Sequence, residues 1–385
     1  MNIKKSDEKP SLLFVVNVDW FFESHRLNIA EKALSEGYSV HIASRNTGRM
    51  KVFTDLGMQV HEVNFTRSNQ NIFQNVVTLF KLFKIIRTVR PTICHFITIK
   101  PIVFGGLLSL ILKKHASVFA VTGLGSSFLN ESIFARTRSK LILTLYKLFF
   151  SQSGNLAIFQ NMSDLNAVFP NGDASSPNIK LIPGSGVDLK KYIPMQNWSD
   201  ERLKIVMAAR ILRDKGVEEY FHAARIMHDK FGDAVQFSYY GDYDTENTSS
   251  ITAAELGSLN SENSVEIYPF TLEIHEVLSK AHIIVLPSYR EGFPKVIMEG
   301  SASGCVAIVS DVPGCSDAVV DGITGFTVAK RSVSALVDSI SYCVNNRQRL
   351  PVLSKQAREY AERHFGLAKT IDDHMEVYQR VMAQK

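Results

Sequence analysis

Short apolar runs alternate with amphipathic stretches along most of this chain. In the first half, stretches such as His25–Ser35 and Asn71–Val89 repeat apolar residues at helical spacing, between runs that are typical of buried strands. Because strands that alternate with helices form βαβ units, the pattern predicts a parallel sheet covered by helices. The strands predicted for this half are Leu12–Val18, Tyr38–Ala43, Met58–Val63, Thr92–Ile97, Ser117–Val121 and Leu156–Phe159.

The segment Ile182–Ser199 interrupts this pattern. It contains Pro, Gly and Ser but no long apolar run, which is typical of a linker. We therefore predict an α/β protein with two doubly wound, Rossmann-like domains at residues 1–188 and 189–365. Residues 366–385 are expected to form a C-terminal helix that crosses back to the first domain. The strands predicted after the linker are Leu203–Ala208, Val235–Tyr240, Val265–Tyr268, His282–Leu286 and Val306–Val309.

Composition and charge narrow the functional class. Of the 385 residues, 45% are apolar and 21% are charged, which is ordinary for a globular protein and excludes a collagen-like or disordered chain. Residues 1–190 contain 22 Lys and Arg against 12 Asp and Glu, whereas residues 191–385 contain 21 against 26. This asymmetry indicates that only the first half meets an anionic surface, of lipid or of nucleic acid.

The sequence also indicates a compartment. No apolar run reaches the roughly 18 residues that cross a bilayer, and the polar N-terminus is not expected to act as a signal peptide. The cysteines lie far apart without the spacing of a metal site, so we expect reduced thiols in a cytosol: Cys94, Cys305, Cys315 and Cys343.

The segment PSYREGFPKVIMEG, Pro287–Gly300, is the most informative part of the second half. Pro294 suits the first position of a helix, whose free N–H groups and dipole form an anion site. Glu291 lies before this helix and Glu299 lies inside it, and a carboxylate can accept hydrogen bonds from two adjacent hydroxyls. A nucleotide sugar has phosphate between two sugars that each carry adjacent hydroxyls, so an anion site between two carboxylates fits such a ligand. The alternative is two solvated glutamates near a helix start.

The segment AARILRDKG, Ala208–Gly216, carries the second signal. Arg210 ends a strand, and Lys215 is predicted to begin a helix with Asp214 as its N-cap. A lysine in the first turn opposes the helix dipole, which is tolerated more easily where an anion binds. Arg210 and Lys215 can then hold a diphosphate opposite the Pro294 helix. The alternative is ordinary surface charge.

Together these residues resemble a known family. Pro287–Gly300 resembles the Glu-x7-Glu motif of retaining GT-B glycosyltransferases of family 4, and Arg210 and Lys215 match that family's diphosphate-binding pair. Pro313–Val328 is similar to the stretch that follows the motif, and the resemblance spans residues 11–365. It implies two domains that face a central cleft, with Glu299 on the ribose. By the same resemblance Glu291 acts with Arg210 and Lys215 in catalysis, and the donor loop contains Gly292, Phe293, Pro294 and Lys295.

The first half departs from that family in one respect. Many members have a Gly-rich loop after the first strand, where this chain has Val16–Arg26. That segment instead resembles a subgroup of bacterial surface-polysaccharide transferases, as do His95–Pro101 and Val121–Phe128. The subgroup extends undecaprenyl-diphosphate-linked sugars, often with an N-acetylhexosamine. Gly123 and Gly125 would let the backbone approach a ligand closely. The residues that the resemblance assigns to the acceptor or the cleft are Asp19, His25, Arg26, His95, Thr122, Gly123 and Gly125, with packing or solvent exposure as the alternative for the two histidines.

Two stretches of the first half favour contact with a membrane. Asn75–Arg90 and Ala135–Phe150 repeat apolar residues at helical spacing with only basic charges between them. Basic amphipathic helices lie well on anionic lipid. The alternative is a helix that packs on the core and has a basic outer face. Nucleic acid is not expected as a partner, because no reader motif is present and the cations lie among long aliphatic residues.

The function implied by the resemblance is transfer of a sugar, with retention, from a UDP-sugar to an undecaprenyl-diphosphate-linked saccharide. The sugar expected is an N-acetylhexosamine such as GalNAc or GlcNAc, and the enzyme is expected on the inner face of the cytoplasmic membrane. No cofactor or metal is expected, although Asp242 and Asp244 form an Asp-x-Asp sequence. The alternatives are a UDP-sugar 2-epimerase-like isomerase and a non-catalytic protein that binds sugar nucleotide or lipid.

Overall fold

The computed structural model describes residues 9–65, 72–112, 115–125, 132–170, 176–194, 198 and 202–384. Its contacts divide the chain into two compact units, one of Met1–Ile182 with Thr370–Lys385 and one of Pro183–Lys369. Each unit contains a parallel sheet with helices on its faces. The predicted α/β class, with two doubly wound sheets and a C-terminal helix, is therefore confirmed.

The sheet of the first unit has seven strands among the described residues. Their spatial order is β3-β2-β1-β4-β5-β6-β7, and every pair is parallel. The order reverses between β1 and β4, which is the switch point of this sheet. The elements are β1 (Ser11–Val18), α1 (Asp19–Ser35), β2 (Ser39–Arg45), α2 (Met50–Asp55), β3 (Gln59–Glu62), α3 (Ile72–Val89), β4 (Ile93–Ile97), α4 (Ile99–Leu112), β5 (Ala116–Val121), α5 (Ile133–Phe150), β6 (Asn155–Phe159), α6 (Met162–Val168), β7 (Ile179–Leu181) and, at the chain end, α13 (Leu367–Ala383).

The two faces of this sheet pack against different helices. Phe14 of β1 lies in a core with Phe22 of α1 and Tyr378 of α13. Its neighbour Leu13 points the other way, into a core that α3, α4 and α5 complete, for example with Tyr146. Because both faces are covered, β1 is an almost continuous apolar run instead of an alternating one.

The second unit contains a parallel sheet of six strands in the described part of the chain. Their order is β10-β9-β8-β11-β12-β13, so the order reverses between β8 and β11. The elements are β8 (Leu203–Ala208), α7 (Val217–Phe231), β9 (Val235–Tyr240), α8 (Ala253–Leu259), β10 (Glu266–Tyr268), α9 (Ile274–Leu278), β11 (Ile283–Leu286), α10 (Lys295–Ala302), β12 (Val306–Ser310), β13 (Gly325–Val328), α11 (Val333–Asn345) and α12 (Leu350–His364).

The structure adds to the predicted elements and moves one boundary. Strands β7 and β13 were not predicted, because each is three or four residues long and borders turn residues. The predicted linker after Ile182 contains a backbone contact with the second unit: the Val187 N–H donates to the Phe365 carbonyl at 2.8 Å, and the Leu367 N–H donates to the Val187 carbonyl at 3.0 Å. The contacts consequently divide the chain after Ile182 instead of after residue 188.

The described helices and the cysteines can be compared with the expectations that no segment crosses a bilayer and that the thiols are reduced. None of them combines the length and the hydropathy that a bilayer crossing requires. All four cysteines are buried, and none of them forms a disulfide.

A polar cluster lies inside the first unit, between α1, α13 and the sheet. Arg26 is 1% exposed, and burial lowers the pKa of its guanidinium to about 10. His95 Nδ1 lies 2.7 Å from the Tyr378 hydroxyl, and His374 Nδ1 donates to the Thr370 carbonyl at 2.7 Å. Burial lowers the pKa of both imidazoles, that of His374 to about 3, so both are neutral in the folded protein at pH 7.

We expect this cluster to make the first unit sensitive to acid. An imidazole with a lowered pKa binds its proton more readily in the unfolded chain, so the contribution of these histidines to stability is constant above about pH 6.5 and falls as the pH decreases below it. For His374 alone the loss at pH 5 should be about 2 kcal/mol. Urea unfolding, followed by Trp20 fluorescence in a Trp198→Phe background, measures this loss. His374→Asn should remove much of the difference between pH 7.5 and pH 5, and the exposed control His228→Asn should not; an unchanged difference in His374→Asn would contradict the assignment.

Candidate active site

The switch point of the second sheet brings together the two segments that the sequence singled out, Ala208–Gly216 and Pro287–Gly300. Strands β8 and β11 are neighbours, with Ile205 opposite Ile283, so the segments that follow them leave the sheet side by side. Lys215 follows β8 and Glu291 follows β11. The Lys215 Nζ lies 2.5 Å from the Glu291 Oε1, and both side chains are mostly buried. Ligands of doubly wound sheets bind at such switch points, at the carboxyl ends of the strands.

The turn that carries Lys215 differs from the predicted one. Arg213–Lys215 form a 3-10 turn, and α7 begins after it with Gly216 as the N-cap, so the prediction that Asp214 caps a helix begun by Lys215 was wrong. The reason is a close approach between backbones. Gly216 has φ +75°, and a Cβ there would lie 2.2 Å from the Pro287 carbonyl oxygen. Only glycine fits both this conformation and this space.

The same contact region holds the Glu291 loop in place. The Asp214 carbonyl accepts hydrogen bonds from the Tyr289 N–H at 2.8 Å and from the Ser288 hydroxyl at 3.0 Å. The Ser288 hydroxyl also lies 2.7 Å from the Glu291 Oε1. On its other side the Glu291 N–H donates to the Pro313 carbonyl at 3.1 Å. The side chain of Glu291 is therefore held by Lys215 and Ser288, and its backbone by Pro313.

Helix α10 begins one residue after the predicted first position, Pro294. Lys295 is its first residue, and Pro294 is its N-cap, with extended backbone (ψ 114°) and no side-chain cap hydrogen bond. Gly292 and Phe293 join Glu291 to this helix start, and the Phe293 ring packs on Phe365 at 5.5 Å between centroids. The N–H groups of the first turn and the helix dipole thus face the same loop as Glu291, which is the arrangement of an anion site.

Glu299 lies in the second turn of α10 and is 7% exposed. Its Oε1 accepts a hydrogen bond of 2.6 Å from the Tyr192 hydroxyl and lies 3.5 Å from the Lys295 Nζ. A buried carboxylate with these partners is held in one orientation and can present its second oxygen to hydroxyl groups of a ligand.

Arg210 is paired in this structure with Asp244, which follows β9. Its Nη1 lies 2.5 Å from the Asp244 Oδ2, and the arginine remains 42% exposed. The Asp242 Oδ1 accepts the Phe270 N–H at 3.1 Å. The Asp-x-Asp sequence therefore has protein partners in the described structure.

Charges of both signs are gathered at this site. Arg210 lies against Asp244 and Lys215 against Glu291, and the Asp214 carboxyl interacts electrostatically with Lys215, Glu291 and Arg210. Burial raises the pKa of Asp214 and Glu291 adds to that rise, whereas Lys215 and Arg210 oppose it. A phosphate that binds here can exchange places with these carboxylates as the partner of the two cations.

Asp19, which the resemblance assigns to the acceptor, is hydrogen-bonded within the fold. It is fully buried at the first position of α1, which follows β1 without a loop. Its carboxylate accepts hydrogen bonds from the backbone of Trp20, Thr47 and Arg49 and from the Thr47 hydroxyl. Burial raises the pKa of Asp19, but these hydrogen bonds outweigh it and hold the pKa below its ordinary value. Direct contact with an acceptor does not fit this environment.

Arg26 and His95 are likewise buried, in the polar cluster described above, and direct contact with an acceptor does not fit them either. His25 is half-buried and stacks on Phe21 with ring centroids 4.2 Å apart. Its Nδ1 lies 3.2 Å from the Phe21 carbonyl. The packing alternative for the two histidines is thus the one that these contacts support.

Thr122, Gly123 and Gly125 lie at the carboxyl edge of the first sheet, directly after β5. Both glycines have positive φ, +109° and +75°, and a Cβ on Gly125 would approach the Ile99 side chain at 3.2 Å. These residues occupy the edge where doubly wound sheets bind ligands. The end of the expected segment, residues 126–128, lies outside the described residues.

Three residues of the site escaped the sequence analysis. Tyr192 lies in the segment interpreted as a linker, and nothing in its sequence connects it with Glu299. Asp244 was considered only as a metal ligand. Ser288 stands three residues before Glu291 in the loop already singled out, so a search for hydroxyls beside the carboxylate would have found it.

Two doubly wound units, with cations and carboxylates gathered at the switch point of the second, are the features of a GT-B glycosyltransferase. Residues 190–363 match the model of the glycosyl transferases group 1 family, and residues 11–161 match a glycosyl transferase 4-like model. The chain belongs to the glycosyl transferases group 1 family, and it is a glycosyltransferase.

Relatives and solved structures agree with this assignment. The N,N'-diacetylbacillosaminyl-diphospho-undecaprenol alpha-1,3-N-acetylgalactosaminyltransferase of Campylobacter jejuni is 31% identical over 320 residues, which cover 80% of this chain and 82% of the relative. The UDP-Gal:alpha-D-GlcNAc-diphosphoundecaprenol alpha-1,3-galactosyltransferase of Escherichia coli is 22% identical over 363 residues, 91% of each chain. The fold is shared with Anabaena HepE in complex with UDP (TM-score 0.76, 18% identity, 97% of this chain and all of the other). It is also shared with sucrose-phosphate synthase from Thermosynechococcus elongatus (TM-score 0.78, 17% identity, 98% and 100%).

We expect Gly216→Ala to push the turn after β8 away from the loop after β11. The added methyl group meets the Pro287 carbonyl and the backbone must leave a positive φ, so the variant should lose more than about 1 kcal/mol of stability and most of its activity. Gly322→Ala is the matched control, because Gly322 also has positive φ (+70°) but has nothing within 4 Å of its Cβ position. Thermal unfolding and activity measure both effects. Equal losses in the two variants would assign the effect to backbone conformation alone.

Proposed function

We propose that this glycosyltransferase moves a sugar, with retention of configuration, from a UDP-sugar to an undecaprenyl-diphosphate-linked saccharide. We further propose an N-acetylhexosamine such as GalNAc or GlcNAc as the sugar, in the synthesis of a surface polysaccharide or glycan. The observation that carries this proposal is the 31% identity, over 80% of the chain, to an enzyme named for N-acetylgalactosamine transfer to such an acceptor.

The geometry of the second unit supports a nucleoside diphosphate as the donor carrier. Glu299 offers a buried, oriented carboxylate for the two ribose hydroxyls. Lys215, Arg210 and the start of α10 offer positive charge for the diphosphate. As the glycosidic bond breaks, negative charge grows on the departing diphosphate, and fixed cations and N–H groups stabilise it most in that state.

Glu291, which is paired with Lys215 in this structure, is proposed to contact the donor sugar once the diphosphate has taken its place beside that lysine. The two relatives described above form α linkages, by their names. An α-linked product from an α-linked nucleotide sugar requires retention, which supports that part of the proposal. No metal is proposed, because Lys215, Arg210 and the helix start supply the positive charge that a metal would otherwise bring to a diphosphate.

The first unit carries a surface that supports contact with anionic lipid. Helices α3, α4 and α5 lie side by side and contain basic residues but no aspartate or glutamate. Large apolar side chains protrude from them, among them Phe73 (75% exposed), Phe80 (67%) and Ile133 (85%). On α3 the exposed apolar stripe continues at helical spacing into the exposed Lys84 and Arg87. Apolar insertion beside basic charge is the chemistry of a protein that lies on an anionic membrane, so we propose a peripheral position on the cytoplasmic leaflet.

The proposal as a whole is tested by product analysis. The protein is incubated with a panel of nucleotide sugars and with undecaprenyl-diphosphate-linked saccharides. We expect a UDP-N-acetylhexosamine to give one new α linkage, assigned by the anomeric coupling in NMR. A β-linked product would refute retention, and transfer only from another nucleotide sugar would refute the donor.

The cations have a separate test. Because Arg210 and Lys215 are proposed to act on the departing diphosphate, each alanine variant should lose kcat as well as donor affinity. For one lost donor the expected decrease in kcat is about 10²- to 10³-fold. EDTA should leave the wild-type protein active. A strict requirement for a divalent metal would instead direct attention to Asp242 and Asp244.

The membrane surface can be tested by reversing its charge. Each basic residue near an anionic leaflet contributes about 1 kcal/mol, which salt screens. The variant Arg136→Glu/Arg138→Glu/Lys140→Glu should leave anionic liposomes and transfer slowly to a long-chain polyprenyl acceptor, but normally to a short soluble one. The control Lys280→Glu/Lys330→Glu/Lys355→Glu makes the same charge change on exposed residues of the second unit. Normal liposome binding by the first variant, or equal losses on both acceptors, would refute membrane docking.

A further inference from the structure

The hydrogen bond between Tyr192 and Glu299 connects two distant parts of the second unit. The donor is in the segment before β8, and the acceptor is in α10, which follows β11. Each of the two residues is 7% exposed, so water competes weakly for this 2.6 Å contact. Burial and the carboxylate of Glu299 raise the pKa of Tyr192 well above its ordinary value, so the phenol remains a donor.

The backbone around Tyr192 is held tightly. The N–H groups of Lys191 and Tyr192 both donate to the Asp188 carbonyl at 3.1 Å, which closes a turn. One residue before that turn, Val187 is bonded to the chain at Phe365 and Leu367. The tyrosine ring also packs edge-on against His275, with centroids 6.1 Å apart. This segment is therefore an ordered support and not a free linker.

Arg358 of α12 ties this support to α10. Its guanidinium donates to the carbonyls of Tyr192 and Ala302 at 2.6 Å each and to that of Leu189 at 3.1 Å. Ala302 is the last residue of α10, so one arginine fixes both the end of the helix that carries Glu299 and the segment that carries Tyr192. The distance between the phenol and the carboxylate is thus set by rigid elements.

The contacts leave Glu299 with two unlike oxygens. Tyr192 and Lys295 both approach Oε1, so Oε2 is the oxygen left to a ligand among the contacts that the structure describes. Without the phenol, the carboxylate would be free to rotate about its terminal bond toward the lysine. The two lone pairs of Oε2 can accept hydrogen bonds from two adjacent hydroxyls only while the carboxylate plane stays in one orientation, since hydrogen bonds depend on angle as well as distance.

We propose that Tyr192 is a positioning residue for nucleotide recognition: its hydroxyl orients Glu299 so that the carboxylate reads the ribose diol and rejects 2′-deoxyribose. This inference rests on the proposed role of Glu299 as the ribose ligand. In this proposal Tyr192 acts only through Glu299 and contacts neither the diphosphate nor the transferred sugar. Its loss therefore affects donor binding and leaves the bond-breaking step nearly unchanged.

The test compares binding of UDP and 2′-deoxy-UDP by calorimetry, with the full-length protein. For Tyr192→Phe we expect UDP affinity to fall about five- to tenfold, while 2′-deoxy-UDP affinity changes much less, so that the ratio of the two affinities shrinks. In the donor reaction KM should rise by a similar factor, with kcat within about twofold of the wild type. Tyr268→Phe is the control, because it removes an exposed Tyr–Glu hydrogen bond of 2.9 Å, to Glu266, in the same unit.

A second variant separates this inference from the proposed function. Glu299→Ala should weaken UDP binding if Glu299 is the ribose ligand, and adding Tyr192→Phe to it should then have no further effect. If Glu299→Ala weakens UDP binding but Tyr192→Phe matches the wild type, the positioning role is overturned and the function stands. If Tyr192→Phe weakens UDP binding equally with and without Glu299, it acts by general destabilisation and the inference is overturned. Unchanged UDP affinity in Glu299→Ala would overturn the ribose contact itself, and the inference with it.

Discussion

The close approach of Gly216 to the Pro287 carbonyl is the constraint on which the candidate active site depends. It presses the turn after β8 against the loop after β11, and this contact lets Lys215 reach Glu291 and lets the Asp214 carbonyl bind the backbone of that loop. A side chain at position 216 would separate the two segments. The chemistry of the second unit thus rests on a position that contributes no functional group of its own.

The site holds its charges in pairs. Lys215 lies against Glu291 and Arg210 against Asp244, so neither cation is left uncompensated in a partly buried environment. In the proposed function, a diphosphate replaces these carboxylates as the partner of cations that are already in position. Such preorganisation is effective because little reorganisation remains to be done as charge develops on the leaving group.

The buried polar residues of the first unit and the residues exposed on its outer helices have different roles. The buried polar residues Asp19, Arg26 and His95 stabilise the fold: Asp19 joins the start of α1 to the turn after β2, and His95 joins β4 to α13. The outer helices α3 and α5 instead present aromatic and aliphatic side chains among basic ones. The positive charge of the first half is therefore explained better by these helices than by the cluster of histidines and Arg26.

The sequence by itself determined the fold class, because the apolar periods of strands and helices and the turn chemistry of Pro294 are local properties that the chain carries into any environment. It also indicated Arg210, Lys215, Glu291 and Glu299, because their spacing within two short segments resembles a known motif. Only the tertiary structure decided that Arg26 and His95 are buried, since they lie beside α13, which is hundreds of residues away along the chain. It also decided that Asp19 is buried, against the turn after β2. The same holds for Tyr192, Asp244 and Arg358: each acts through a contact with a residue distant in sequence, and such contacts leave no periodic pattern in the sequence to read.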